Sequence, residues 1–234
     1  MNIRPATEND WPEISGISNI SGYFDYISEM GKSYMNTGTI LVAEESRVVG
    51  FLKIEDLCDN SIWLSGLRVH PDYRRLGIAS LLTNKAIESE RSRGFSAARI
   101  LVSSDNKASL ALSQKAGFTI ISHLEFYEGT PTCPESKPIQ PAKGSMVNFG
   151  WKFGYYTDER HCRIEFKECS GISYTMSPKN EEGYPYSHIL SGTGDISLDG
   201  KGFTSVETAL SKEINVKGKL MEEFENAFLL EIKI

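Results

Sequence analysis

The stretch "VHPDYRRLGIASLL", Val69–Leu82, decides how this chain is read. An apolar, strand-like run ends at His70-Pro71, because proline cannot donate to a sheet ladder. Arg74 and Arg75 follow, then Gly77, then the small residues Ala79 and Ser80, and then an apolar helical pattern. The first turn of a helix leaves backbone N–H groups without partners and carries partial positive charge. That makes it an anion site. Glycine and small residues let a ligand reach the backbone, and the arginines add charge, so a pyrophosphate would suit this turn. The same residues would also serve a chain that merely needs a tight helix start.

Working outward, "DWPEISGISNI" predicts a helix with Asp10 at its N-cap. "TILVAEE" and "VVGFLKIED" read as antiparallel strands about a tight turn at "SR", and "SIWLSGLRV" as a third strand. "GIASLLTNKAIESERSRG" predicts an amphipathic helix with Ile78, Leu81, Leu82, Ala86 and Ile87 inward, stopped by Gly94. "AARILVSS" is a central strand, "NKASLALSQKAG" a helix closed by Gly117, and "FTIISHLEFYE" a further strand. Residues 129–144, "GTPTCPESKPIQPAKG", hold four prolines in sixteen residues and read as a linker. Beyond them "SMVNFGWKFGYYT", "HCRIEFKEC" and "AFLLEIKI" read as strands. Asp199-Gly200 marks a hairpin, and the Thr204/Glu207 spacing marks a capped helix in "SVETALSKEI". The predicted organisation is therefore a domain at 1–128, a linker at 129–144 and a small β-rich α+β domain at 145–234.

The 234 residues are 40% hydrophobic and 24% charged, with formal net charge −6. An acidic balance argues against nucleic-acid binding. No apolar run approaches the roughly 20 residues of a membrane span, and the N-terminus lacks signal-peptide features. The expectation is a cytoplasmic protein. Cys58, Cys133, Cys162 and Cys169 form no CxxC pair and fit no zinc spacing. They are expected to be reduced thiols, and no metal is expected.

Arg74-Arg75-Leu76-Gly77-Ile78-Ala79, with its lead-in "LRVHPDY", resembles the R/Q-x-x-G-x-G/A motif of the GNAT N-acetyltransferases. "NKASLALSQKAGF" resembles a second block of that family through Asn106, Leu112, Lys115, Gly117 and Phe118. "IRPATENDWPEI" is also similar to the family's first strand and helix. The resemblance covers about residues 1–128. It implies the acyl-CoA N-acyltransferase fold, an α/β mixed sheet whose strands splay around the motif helix with acetyl-CoA in the gap. It implies that the loop Arg74, Arg75, Leu76, Gly77, Ile78, Ala79 and Ser80 holds the pyrophosphate, chiefly through the amides of residues 75–80. Leu67, Arg68 and Val69 would pair with the pantetheine arm, and Asn106 would contact the cofactor further along.

The family's frequent tyrosine in the second block is replaced by Ser113, counted with the cofactor contacts. The leaving thiol has a pKa near 8.5, so water, Ser113 through water, or Tyr127 could protonate it. Glu55 is the candidate base that takes the amine's proton. A backbone N–H near Val69 would stabilise the oxyanion, in a direct transfer without an acetyl-enzyme. The loop "SGYFDYISEMGKSYMN" carries aromatic Tyr23, Phe24, Tyr26 and Tyr34 with acidic Asp25 and Glu29, which suits a cationic amine. Tyr23, Asp25 and Tyr26 are the acceptor candidates. A shorter likeness to the histidine-acetyltransferase-like subgroup, which also has a C-terminal extension, suggests a free amino acid or other small amine. Acetylation of protein N-termini or lysines, and a non-catalytic acyl-CoA-binding regulatory module, are the alternatives. A homodimer is compatible with either.

Overall fold

Strand alternation and helix periodicity build the first part of the chain. In the computed structural model of the protein, residues 1–20, 26–157, 164–177, 183–222 and 224–234 are described. They form two compact units. The first comprises residues 1–100, 111–118 and 232–234, the second residues 101–110 and 119–231.

In the first unit, β1 (Asn2–Pro5), β2 (Thr39–Glu44), β3 (Val48–Asp56) and β4 (Ser61–Val69) pair antiparallel in that order. All of β3 but its last residue is buried, because both of its faces are covered. The helices α1 (Trp11–Asn19) and α2 (Tyr26–Met30) belong to this unit. Ile14, Ile17 and Ile27 from them pack with Tyr34, Ile40, Val42, Val48 and Phe51. Helix α3 (Ile78–Ser92) buries Ile78, Leu82, Ala86 and Ile87, whereas Leu81, expected inside, is 48% exposed. Asp10 is the N-cap residue of α1, as expected, but its side chain makes no capping bond there. Its carboxylate instead takes two 2.8 Å bonds from Arg4.

β5 (Ala97–Ser103) begins in this unit and pairs with β4 in parallel, Ser61–Trp63 against Ala97–Arg99. A buried ion pair, Arg99 Nη1 to Asp59 Oδ2 at 2.7 Å, lies beside the start of this ladder, and the same nitrogen donates to Ser61 Oγ at 2.6 Å. The ladder ends at Trp63, so the rest of β4 has no β5 partner among the described residues. Helix α4 (Lys107–Lys115) runs through both segments at 101–118.

The second unit is built on β6 (Thr119–Pro131), β7 (Lys137–Pro138), β8 (Met146–Asn148), β9 (Phe153–Tyr155), β10 (Glu165–Cys169), β11 (Ile172–Ser177), β12 (Tyr186–Ser191), β13 (Gly194–Glu207), β14 (Ile214–Lys217) and β15 (Asn226–Lys233). The strand order is β15-β6-β13-β12-β11-β10-β7, with β14 on β13 and a separate β8-β9 pair. The β12–β13 and β13–β14 pairs are parallel.

Several expectations differ here. The predicted linker supplies the end of β6 and the two-residue strand β7, whose Pro138 lies on the sheet edge, where a missing N–H costs no ladder bond. The expected boundary at 128 falls inside β6. Asp199-Gly200 is no hairpin, because residues on both sides of it pair with β6 across a register shift. Thr204–Glu207 is the end of β13 rather than a helix start, and only a 3-10 turn follows, at Leu210–Lys212. Pairing with β6 outweighs the local capping signal.

The described cysteines are also not free thiols, and Cys162 lies outside the described residues. Cys133 and Cys169 form a disulfide, and Cys58 is disulfide-bonded too. Cys133 follows β6, and Cys169 ends β10, so the bond fastens the β7 edge. No helix among the described residues is long and apolar enough to cross a membrane.

Candidate active site

The end of β4 and the start of α3 make the site. Arg75 and Gly77 both adopt positive φ, 64° and 82°. These two left-handed residues turn the chain so that α3 starts without a side-chain cap. Leu81 N–H makes the first helical bond, to Gly77 O at 3.0 Å. By helix geometry the amides of Ile78, Ala79 and Ser80 then point out of the first turn. Arg74, Arg75, Leu76 and Gly77 are exposed. A Cβ on Gly77 would meet nothing within 4 Å, so the space over this turn is open. Arg74 Nε donates to Val69 O at 3.2 Å, which ties the loop to the strand.

β4 carries a feature that the sequence reading passed over. Lys53 pairs with Ser65, and Phe51 pairs with Arg68, so β4 has one residue more than β3 between these pairs. This is a β-bulge. Gly66 lies in it with φ 63°. A glycine inside a strand pattern is the signal that could have found it. The Tyr34 hydroxyl lies against Gly66, in the space a Cβ would need. Leu67, Arg68 and Val69, the expected pantetheine contacts, are the half-exposed residues that follow.

Glu55 is on the same face of β3 as Lys53, two residues further on, and is 8% exposed. It accepts from Thr37 Oγ1 at 3.3 Å, and Lys53 Nζ is 3.9 Å away. Lys53, itself 2% exposed, donates to Thr37 Oγ1 at 2.8 Å and Tyr34 O at 2.9 Å. A buried lysine in a strand of apolar residues was not picked out in sequence. Burial, and next the neighbouring Tyr26 phenol, push the Tyr34 phenol well above its ordinary range. Tyr26 is 37% exposed. Tyr23 and Asp25 lie outside the described residues.

Ser113 is buried. Asn106 and Tyr127 belong to the second unit. The Asn106 side-chain oxygen accepts from Ser109 N–H at 3.1 Å, capping α4. Tyr127 donates to Glu125 at 2.9 Å. Burial and that bond raise its pKa to about 12. Among the described residues there is no group of three or more His, Cys, Asp or Glu side chains able to hold a metal.

A strand that separates from its parallel neighbour, a bulge, and an uncapped helix with open space above it thus follow one another from β4 to α3 in a mixed α/β fold. Residues 4–118 match the model of the Acetyltransferase (GNAT) family, and this part of the chain belongs to that family. No curated protein matches the sequence. Among solved structures, an acetyltransferase-described protein from Thermoplasma acidophilum is similar over 100% of both chains, with 18% identity and a TM-score of 0.67. The fold thus extends over the C-terminal strands as well. The ribosomal-protein-S18-alanine N-acetyltransferase of Escherichia coli aligns with 55% of this chain and 84% of its own, at 21% identity and TM-score 0.49. The PaiA N-acetyltransferase of Thermoplasma acidophilum, solved with coenzyme A, aligns with 52% of this chain and 91% of its own, at 21% identity and TM-score 0.46.

Proposed function

We propose that the protein transfers the acetyl group of acetyl-CoA directly to a primary amine, on a free amino acid or another small molecule. The observation that carries this reading is the open start of α3, where Arg75 and Gly77 take positive φ and no side chain caps the helix. The amides of residues 75–80 and the charge of Arg74 and Arg75 hold the pyrophosphate. The edge of β4 after Trp63 takes the pantetheine arm as an added strand, through Leu67, Arg68 and Val69.

Glu55 receives the amine's surplus proton. It is two residues along β3 from the partner of Ser65, about 7 Å of strand, so water relays the proton. Lys53 and Thr37 hold its carboxylate in place. Tyr127 already spends its hydrogen-bond donor on Glu125, so water protonates the departing thiolate. The aromatic Tyr26 supports a cationic acceptor.

The test is free-thiol release from acetyl-CoA with a panel of amino acids, polyamines, aminoglycosides and short peptides. Release that depends on a small amine is the expected result. Release with peptides alone would move the acceptor to protein N-termini or lysines. No release, with acetyl-CoA still raising Tm, would point to a binding module.

A further inference from the structure

We propose that Tyr34 donates a hydrogen bond to the acetyl carbonyl oxygen, beside the backbone amides of the β4 bulge, and so stabilises the oxyanion. This rests on the acetyl-transfer reading above.

Tyr34 comes from the 3-10 turn Gly31–Asn36 and is 1% exposed. A buried tyrosine hydroxyl usually finds a partner. This one makes no hydrogen bond among the described residues. Tyr26 approaches it edge-on, with ring centroids 6.2 Å apart. The hydroxyl is directed at the backbone of Gly66, where only a glycine leaves room. The ring is held from two further sides. Lys53 Nζ is 4.3 Å from its centroid, and Phe51 meets it edge-on with centroids 6.5 Å apart. A bulge leaves its extra residue outside the ladder, and the phenol lies beside that bulge at Gly66. A phenol O–H joined by a bulge amide at one oxygen would hold developing negative charge there.

The chemistry balances without another reactant. The amine lone pair forms the N–C bond while the carbonyl π pair moves to oxygen. The bulge amide and Tyr34 O–H hold that oxygen. The pair then returns, the C–S bond breaks, and CoA thiolate leaves. One nitrogen proton passes to Glu55 through water, the thiolate takes one from water, and the hydroxide so formed takes the proton back from Glu55. Tyr34 keeps its own proton throughout.

The experiment is infrared difference spectroscopy of bound acetyl-CoA carrying a 13C carbonyl, on the wild-type chain and Tyr34→Phe, with kcat and cofactor affinity measured alongside. The wild type is expected to lower the carbonyl stretch relative to free acetyl-CoA. Tyr34→Phe is expected to give back most of that shift and lose about 100-fold in kcat, with cofactor affinity little changed. An unchanged stretch and kcat in the variant would overturn the proposal. If the variant does not fold, 2,3-difluorotyrosine at position 34 keeps the shape and strengthens the donor. The stretch must then fall further, and its failure to move counts against Tyr34. A shifted carbonyl in wild type with no transfer to any amine would leave Tyr34 in place and remove the transferase reading. No binding of acetyl-CoA would remove both.

Discussion

Lys53 Nζ lies 4.3 Å from the centroid of the Tyr34 ring and bonds the same residue's backbone carbonyl at 2.9 Å. One buried cation thereby holds the ring, Thr37 and the neighbourhood of Glu55. Lys53→Met keeps the volume but leaves a buried carbonyl without its donor and Glu55 without its cation. Removing one partner of such a cluster costs about 3 kcal/mol. Urea unfolding of the variant should show that loss, and Lys53→Met/Glu55→Gln should recover part of it, because the two sites are coupled.

Gly66→Ala would drive its methyl into the Tyr34 hydroxyl, and its φ of 63° is costly for alanine by a further 1–2 kcal/mol or so. The single variant should be destabilised well beyond the strain alone. Adding Tyr34→Phe removes the colliding atom, so the double variant should be more stable than Gly66→Ala. Simple additivity in thermal unfolding would exclude this contact as the cause.

Gly77 separates strain from ligand effects. A side chain there meets open space, so Gly77→Ala should cost only the left-handed backbone penalty of about 1–2 kcal/mol. Gly77→Asp brings negative charge to the pyrophosphate position and should abolish detectable CoA binding by calorimetry while the protein remains folded. Undiminished affinity in Gly77→Asp would place the cofactor elsewhere.

His188 is fully buried in the second unit, with Nδ1 3.0 Å from Ser205 Oγ. Burial lowers its pKa from 6.5 to about 4. The unfolded chain therefore binds the proton first as pH falls. The stability tied to neutral His188 is complete above about pH 6.5 and is lost as pH drops from there toward 4. That difference is worth roughly 3 kcal/mol. Urea midpoints from pH 7 to 4.5 should fall accordingly, and His188→Gln should flatten that part of the profile. An equal slope in both proteins would show that other groups carry it.

The Cys133–Cys169 bond closes a loop with a sequence separation of 36. The chain-entropy relation gives about 4 kcal/mol for a loop of that length. Cys133→Ala/Cys169→Ala should lower Tm by about 8–15 °C on that basis, and a reducing agent should have no further effect through this pair.

The first unit was largely legible, because its elements combine periodicity with punctuation. β4 spans the residues that the pattern marked, Ser61–Val69, and α3 stops short of Gly94 as its Gly signal implied. Gly66 carried its own signal, a glycine within a strand, but the bulge depends on the register with β3. Lys53 and Tyr34 could not be paired from sequence, since the fold alone brings residues nineteen positions apart together. In the second unit, local signals lost to pairing. Thr204 and Glu207 have the spacing of a capping box, yet Thr204 bonds Gly129 O at 2.9 Å as a buried strand residue. The disulfide was illegible for the same reason, because cysteine spacing says nothing about which strands become neighbours.

The path of the chain between its two units has a consequence for biosynthesis. Residues 232–234 belong to the first unit, and Ile234 N–H bonds Ser96 O at 3.0 Å. Residues 111–118 also return to it after the excursion at 101–110. On the ribosome, the unit carrying the α3 turn can begin to fold early, but it receives its last pieces only after the whole second unit has emerged. A stall anywhere after Phe118 would present to the cell a nascent chain with an unfinished sheet, and chaperone demand should track that interval of translation rather than the first hundred residues.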